Sequence, residues 1–456
     1  MFIACTALIE RNEPHVGHGV AVLDVDNDGT FEFLVTGYGM ANRVLKWNGQ
    51  RLIDATAPTL ADPTGLTTCL LAADIDGDGR EEIYVCNEES EAAPGSTDRL
   101  LTSFGSRWVD MLSLPENAEI AEAAFGVVAA CLDRHGRGRY GFAVANAGDP
   151  IALYELEARG RIVNAAEEAG LDLTADTRAM TALPLVSERM DLFVHVGSGS
   201  NCLFRNLGDG TFEEVAEKRG LADTRQQGRG VAVLDADGNG LFDLACAVRQ
   251  GSHRLFIQRA GGGFTEEAPA DLSLPSHACS VIAADFDNDG FEELLFLNHG
   301  QPNRLFALRH EEWREIEIGD AAEPRGWSTG AAVADIDGDG ILELLVNHHG
   351  HNSHPAPLAL FKATAGDNSW LRVLPLTAAG APARGAVVIC TAGTVTRHRS
   401  ICAGSGYLSQ MEPVAHFGLG QVRAVDTVEV HWPDGAIAII DGPPINRMLT
   451  VPHPPE

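Results

Sequence analysis

The stretch DVDNDGTFE, residues 24–32, decides the fold. Asp24, Asp26 and Asp28 fall at alternate positions, Gly29 follows, and Glu32 closes the stretch at its ninth position. Four carboxylates this close repel one another and call for a cation between them. Ca²⁺, with its flexible shell of six to eight oxygens, suits such a loop better than Mg²⁺, which demands a near-ideal octahedron. Gly29 allows the sharp turn that brings the ligands together. One acidic turn alone says little; its recurrence carries the weight.

Related loops start at Asp24, Asp74, Asp133, Leu183, Asp235, Asp285 and Asp335, at spacings of 50, 59, 50, 52, 50 and 50 residues. This is an internal repeat. Each unit opens with an apolar run such as GVAVLD (19–24), continues through the loop into a second run such as FEFLV (31–35), and turns into a third such as NRLFAL (303–308). A glycine turn and a closing strand end it, as in GDGTFEEVAE (208–217). Four short strands per unit describe a propeller blade, so the chain is predicted to be all-β, a seven-bladed β-propeller over residues 1–366. EEVAEKRGL (213–221) has room for one helical turn. The nine extra residues before the third loop are assigned to an exposed loop at EESEAAPGSTD (88–98). The seventh unit runs out near Lys362, while MFIACTAL resembles a closing strand, so residues 1–8 are expected to complete blade seven. From residue 367 to 456 the acidic loops stop, and short apolar runs separated by turns predict a small all-β domain beside the propeller.

Three more loops match the first position for position: Asp74, Asp76, Asp78, Glu82; Asp285, Asp287, Asp289, Glu293; and Asp335, Asp337, Asp339, Glu343. A fifth, Asp235, Asp237, Asn239, Asp243, replaces one carboxylate by a neutral oxygen. An EF-hand needs a glutamate at position twelve; here that position holds Val35, Val85, Cys246, Phe296 or Val346, so these loops join strands. In the third unit Asp133 is followed by His135 and Arg137, with Arg137 expected to place its own charge where the metal would sit, and the fourth unit keeps only Asp191. Neither is expected to bind metal. About five Ca²⁺ sites are therefore predicted, each stapling its own hairpin, since a catalytic ion keeps a position open for water or substrate.

The net charge of −31 leaves no basic stripe to neutralise phosphates, which argues against nucleic acid. No run approaches a membrane span, and a monomer is expected. The nine cysteines sit mostly in apolar runs and read as buried thiols, with a Cys390–Cys402 pair as the alternative. Those thiols and the lack of a basic leader favour the cytoplasm, whereas five intact calcium loops favour a secreted or periplasmic setting with a signal removed.

Phrases such as NCLFRNLGDGTFEEVAEKRGL (201–221) resemble the FG-GAP/VCBS calcium-propeller repeats of integrin α-chain heads and many bacterial proteins. The tail segments NSWLRV (368–373), GSGYLSQ (404–410), HFGLG (416–420) and VEVHWPDG (428–435) resemble the ASPIC/UnbV domain of the cartilage acidic protein family, in its bacterial type. The resemblance implies an interaction module, usually exported, with some members beside bacterial secondary-metabolite pathways. The segment AAGAPARGAVV (378–388) departs from the family's turn.

Strand direction places a second set of residues on the face opposite the acidic loops: His18, Arg178, Arg229, His277, His299, Trp327, His348 and His349. Propeller mouths gather polar groups from several blades into a concavity, and His277, His299, His348 and His18 are expected to converge there. The leading reading is a calcium-stabilised binding or scaffold protein presenting this mouth to a protein or small-molecule ligand. The alternative is a propeller enzyme acting on a small molecule in the same mouth, with an added His-bound transition metal as a further option.

Overall fold

The protein is described by a computed structural model covering residues 1–88, 97–105, 107–146, 148–224, 227–324, 326–349 and 355–455. Most of the 88–98 loop, and residues 350–354 of the histidine-rich run, lie outside the described residues.

Seven four-stranded antiparallel sheets form the blades. Blade one runs Val20–Leu23, Glu32–Val35, Arg43–Trp47, Leu52–Asp54, from the innermost strand outward. The inner strands of the other blades are Thr67–Ala73, Gly126–Leu132, Thr177–Leu183, Gly228–Leu234, Ala278–Ala284 and Ser328–Ala334. Each packs against the next, and the last against the first, which closes the ring. A strand points successive side chains to opposite faces, and here both faces of a blade are covered. Val20, Val22, Phe33 and Val35 pack on Ala332, Leu345 and Leu360 of blade seven, while Leu23 and Leu34 pack on Leu70 and Leu101 of blade two. The runs are therefore continuously apolar rather than alternating.

Closure follows the expected route. Phe2–Ala4 forms the outer strand of blade seven, with Phe2 opposite Ala363 and Ala4 opposite Phe361. Phe2 is buried and meets Phe286 of blade six edge-on at 4.9 Å. The helical turn after blade four's closing strand is Ala216–Arg219. All nine cysteines are free, so Cys390 and Cys402 do not pair.

The C-terminal domain has two sheets, one of three strands and one of four, around Leu371, Val388, Phe417, Val428 and Trp432. The expectation that it lies merely beside the propeller is corrected by residues 402–411, which leave the domain and fill the propeller's channel. Ala403 O accepts from Cys131 N of blade three (2.8 Å), and Gly406 exchanges backbone bonds with Val231 of blade five (2.9 and 2.6 Å). Gln410 bonds Val20 and Val22 of blade one through its backbone, and its side-chain amide spans the N–H and C=O of Ala72 in blade two. Blades four, six and seven approach closely at Met180, Ser280 and Gly330. Gly19 and Gly330 are glycines for this reason: a Cβ on Gly19 would lie 1.9 Å from Leu408 O, and one on Gly330 would lie 2.8 Å from Tyr407 O.

At the base of this plug stands Arg384, whose side chain is fully buried. It donates to both oxygens of Glu81 (2.7 and 3.2 Å) and to the carbonyls of Cys402, Met411 and Val22 (3.0, 3.1 and 3.3 Å). The segment AAGAPARGAVV, residues 378–388, thus carries a main anchor between the domains.

Candidate metal centres and the opposite mouth

The five acidic loops share one frame. The first aspartate accepts the N–H of the sixth residue, a glycine: Asp24 from Gly29 (2.8 Å), Asp74 from Gly79 (3.0), Asp235 from Gly240 (3.1), Asp285 from Gly290 (2.9) and Asp335 from Gly340 (2.9). These glycines have φ between 82° and 101°, a region costly for other residues. The ninth-position carboxylate accepts the N–H of the second residue: Glu32 from Val25, Glu82 from Ile75, Asp243 from Ala236, Glu293 from Phe286 and Glu343 from Ile336, at 2.7–3.0 Å.

Within this frame the ligating oxygens converge to within 4.8 Å of one another in five groups: Asp24, Asp26, Glu32; Asp74, Asp76, Asp78; Asp235, Asp237, Asp243; Asp285, Asp287, Asp289; and Asp335, Asp337, Asp339. Asp28, Glu82, Glu293 and Glu343 stand outside these triads. The Asn239 amide donates to Gln258 O (3.1 Å) and accepts from Leu241 N (2.7 Å). Asp133 and Asp191 form no such group. They hold their loops by backbone bonds instead, Asp133 to Arg137 N and Gly138 N, and Asp191 to Val186 N, Ser187 N and Asn206 N.

The electrostatics ask for positive charge. Burial pushes Glu82 and Glu343 up to about 8, and Glu32, Asp243 and Asp285 up to about 7. Carboxylates in that state are fully ionised at neutral pH only with a cation among them. Side chains supply part of it: Lys46 Nζ touches Asp26, Asp28 and Glu32 (2.7–2.9 Å), and Lys362 Nζ touches Asp337 and Asp339 (2.7 and 3.0 Å). Arg309 plays the same part at Asp287 and Asp289. A further demand remains at three loops. Asp235 Oδ1, Asp285 Oδ1 and Asp335 Oδ1 are buried without a hydrogen-bond partner, and a buried carboxylate oxygen is not left bare without cost. Oxygen-only donors with an unmatched buried oxygen fit a hard cation such as Ca²⁺. The five acidic clusters are thus consistent with about five calcium sites. Among the described residues no group of three or more ligating side chains includes a histidine, so the His-bound transition metal is not supported.

The sequence reading missed how the C-terminal domain meets these loops. Arg372 forms ion pairs with Asp335 (3.0 Å) and Glu412, Gly418 N donates to Asp285 Oδ2 (2.9 Å), and His398 Nδ1 lies 3.7 Å from Asp235 Oδ2. Arg399 pairs with Glu292 (3.3 Å), and Arg397 donates to Gly290 O (2.9 Å). The available signal was the basic run TRHRS, residues 396–400, in a strongly acidic chain.

At the opposite mouth His18 and His349 pack rings at 4.7 Å, Tyr38 stands edge-on to His18 at 5.1 Å, and His299 meets Trp327 edge-on at 4.5 Å. His277 is exposed and joins them through its carbonyl, which accepts from His299 N. His348 is not part of this group: its ring bonds Pro357 O (2.8 Å) and Glu323 (3.3 Å) and is buried. Arg178 pairs with Asp176 (2.5 Å) and, with Arg229, lines an open cavity of about 620 Å³ between blades four and five. Arg229 also lies 5.9 Å over the ring of Tyr407, at the tip of the plug. Burial pushes the neighbouring Cys279 thiol up, against the lowering effect of Arg229 and Arg249.

Comparison with known proteins matches both parts of the chain. Residues 377–456 fit the family described as ASPIC and UnbV, and residues 24–85, 188–246 and 235–296 fit the FG-GAP-like repeat. Cartilage acidic protein 1 of Xenopus tropicalis is 40% identical over 504 residues, spanning 100% of this chain and 77% of that protein. The Mus musculus protein of the same name is 39% identical over 503, with the same coverage. Among solved structures, BBS1N in complex with ARL6DN aligns at a TM-score of 0.50 with 12% identity, over 79% of this chain and 96% of that one, a likeness of fold alone. With identity sustained over its whole length, through the repeats and the tail alike, the chain belongs to the cartilage acidic protein family.

Proposed function

We propose that the protein is a calcium-stabilised binding propeller whose ligand or partner surface is the mouth opposite the acidic loops. The supporting observation is the plug. The C-terminal domain covers loop two and loops five to seven and fills the channel, so the other mouth is a blind cup floored by Tyr407 rather than a passage. Around it stand groups suited to recognition: the His18, His349 and Tyr38 rings, the His299–Trp327 pair, and the arginines Arg178 and Arg229. Five Ca²⁺ ions hold the loops on the far side and take no part in binding.

Ligand-observed NMR with a mixed set of small anions, amines and sugars tests the reading. Binders of the wild-type chain are expected to be lost in Arg229→Ala and in His349→Ala and retained in Lys46→Ala, which alters a loop on the opposite side. Binders that survive both mouth substitutions overturn it.

A further inference from the structure

The five acidic loops are not equivalent. At loops one and two the first aspartate is satisfied from within its own loop. Asp24 Oδ1 accepts from Asp28 N (3.0 Å) and Oδ2 from Gly29 N; Asp74 Oδ1 accepts from Gly77 N (2.6 Å) and Oδ2 from Gly79 N. At loops five, six and seven a different pattern repeats three times. Oδ2 of the first aspartate is held from one side by the loop's own glycine N–H and faces a nitrogen of the C-terminal domain on the other. Gly418 N–H donates to Asp285 (2.9 Å), the Arg372 guanidinium pairs with Asp335 (3.0 Å), and His398 Nδ1 faces Asp235 at 3.7 Å without a hydrogen bond. Oδ1 of each is buried with no partner, and these side chains are no more than 1% exposed.

One oxygen of each carboxylate therefore belongs to the interface between the domains and the other to the cage. We propose that loops five, six and seven are interdomain metal centres, in which a divalent cation of the calcium class locks the C-terminal domain onto the propeller and so keeps the plug in the channel. This rests on the reading of the loops as calcium sites.

The physical reason is shared orientation. Binding a cation fixes the plane of the aspartate through Oδ1, which sets Oδ2 in line for the C-terminal donor; docking of the domain fixes the same plane from the other side. Two partners that each order the same group favour each other's binding, and the coupling is reciprocal. Neighbouring contacts extend the coupling from loop to loop. Asn288 in loop six donates to Gly340 O in loop seven (2.9 Å) and accepts from the ring of His416 (2.6 Å), and Asn368 of the C-terminal domain donates to Asp287 O (2.8 Å). Trp370 lies so close to Gly340 that a Cβ there would stand 1.9 Å from its ring. From Glu412 and Val414 the chain runs directly back into the plug at Gln410, so freeing the interface frees the plug.

Hydrogen exchange on the full chain, read at the plug-bonded amides of Gly406, Gln410, Val231 and Cys131, tests the proposal while equilibrium dialysis counts bound calcium. Withdrawing calcium with a chelator is expected to speed exchange at those amides at least tenfold, while Asn206 N in blade four, held by Asp191, keeps its protection. At sub-saturating calcium, Asp287→Asn and Asp337→Asn, which remove a cage carboxylate without touching the C-terminal donors, are expected to reproduce the effect. Asp26→Asn is expected to loosen only its own hairpin. If calcium binds near five per chain and the plug amides exchange equally with and without it, or Asp26→Asn behaves like the other two variants, the interdomain lock is refuted while the calcium sites stand. If no calcium binds, both fail.

Discussion

Replacing Arg384 by methionine removes a buried cation that ties the plug's base to the propeller wall while keeping the aliphatic volume. In the wild type its guanidinium satisfies both oxygens of Glu81 and three carbonyls, two of them in the plug and one in blade one. The Glu81 side chain is only 3% exposed, so the variant strands a buried carboxylate. Breaking a buried pair from one side costs about 3–5 kcal/mol, and the orphaned carbonyls add to it without full additivity; about 5 kcal/mol is the expected total. With an unfolding entropy of roughly 2.1 cal/mol/K per residue, a chain of this length melting as one unit loses ~5 °C. Calorimetry in saturating calcium measures it with the metal contribution held constant. The double variant Arg384→Met/Glu81→Gln removes the uncompensated charge and is expected to recover at least half of the loss, since the two sites are coupled. A single variant melting within 1 °C of wild type (~1 kcal/mol by the same conversion), or a double variant no better than the single, would show that the pair does not hold the domains together.

The ring closure predicts that Phe2→Ala, by emptying the space against Phe286 and Ala363, destabilises the propeller by about 3–5 kcal/mol in denaturant titration; a change below about 1 kcal/mol contradicts closure through residues 2–4. Acid sensitivity has a specific source in His253. This fully buried ring accepts from Val248 N and bonds Ser276 Oγ, and burial, helped by Arg304 and Arg254, lowers it from 6.5 to about 4. Its folded value lies below its unfolded one, so as pH falls from 6.5 to 4 the unfolded chain takes up a proton that the folded chain refuses. Stability should therefore drop by about 3 kcal/mol across that window and show no further loss from this residue below it. His253→Gln should flatten that part of the stability–pH curve, and an unchanged slope would assign the sensitivity elsewhere.

Much of the fold was legible because a blade is a local object. The spacing of the acidic loops and the apolar runs on either side depend on neighbours within about fifty residues, and in blades one to six strand pairing follows chain order, whereas blade seven closes across the ring with Phe2 opposite Ala363. Three converging carboxylates in each of the five loops were legible for the same reason, since a nine-residue frame sets which oxygens can meet. The mouth was partly legible: strand polarity put His18, His299 and His349 on one face, yet could not show that the ring of His348 turns to Glu323 and Pro357 instead.

What the sequence by itself determined about Asp24–Glu32 and its repeats is a cation-seeking turn between two strands, because carboxylate spacing and a left-handed glycine are local facts. What only the tertiary structure decided is that these turns are of two kinds. Asp235, Asp285 and Asp335 read like Asp24 and Asp74 along the chain, but they alone face His398, Gly418 and Arg372, which lie 163, 133 and 37 residues further on in sequence. The opening glycines Gly19 and Gly330 are small because Leu408 and Tyr407 pass against them in the channel. Contacts of that range are set by how two domains dock, and no periodicity within a fifty-residue unit encodes them.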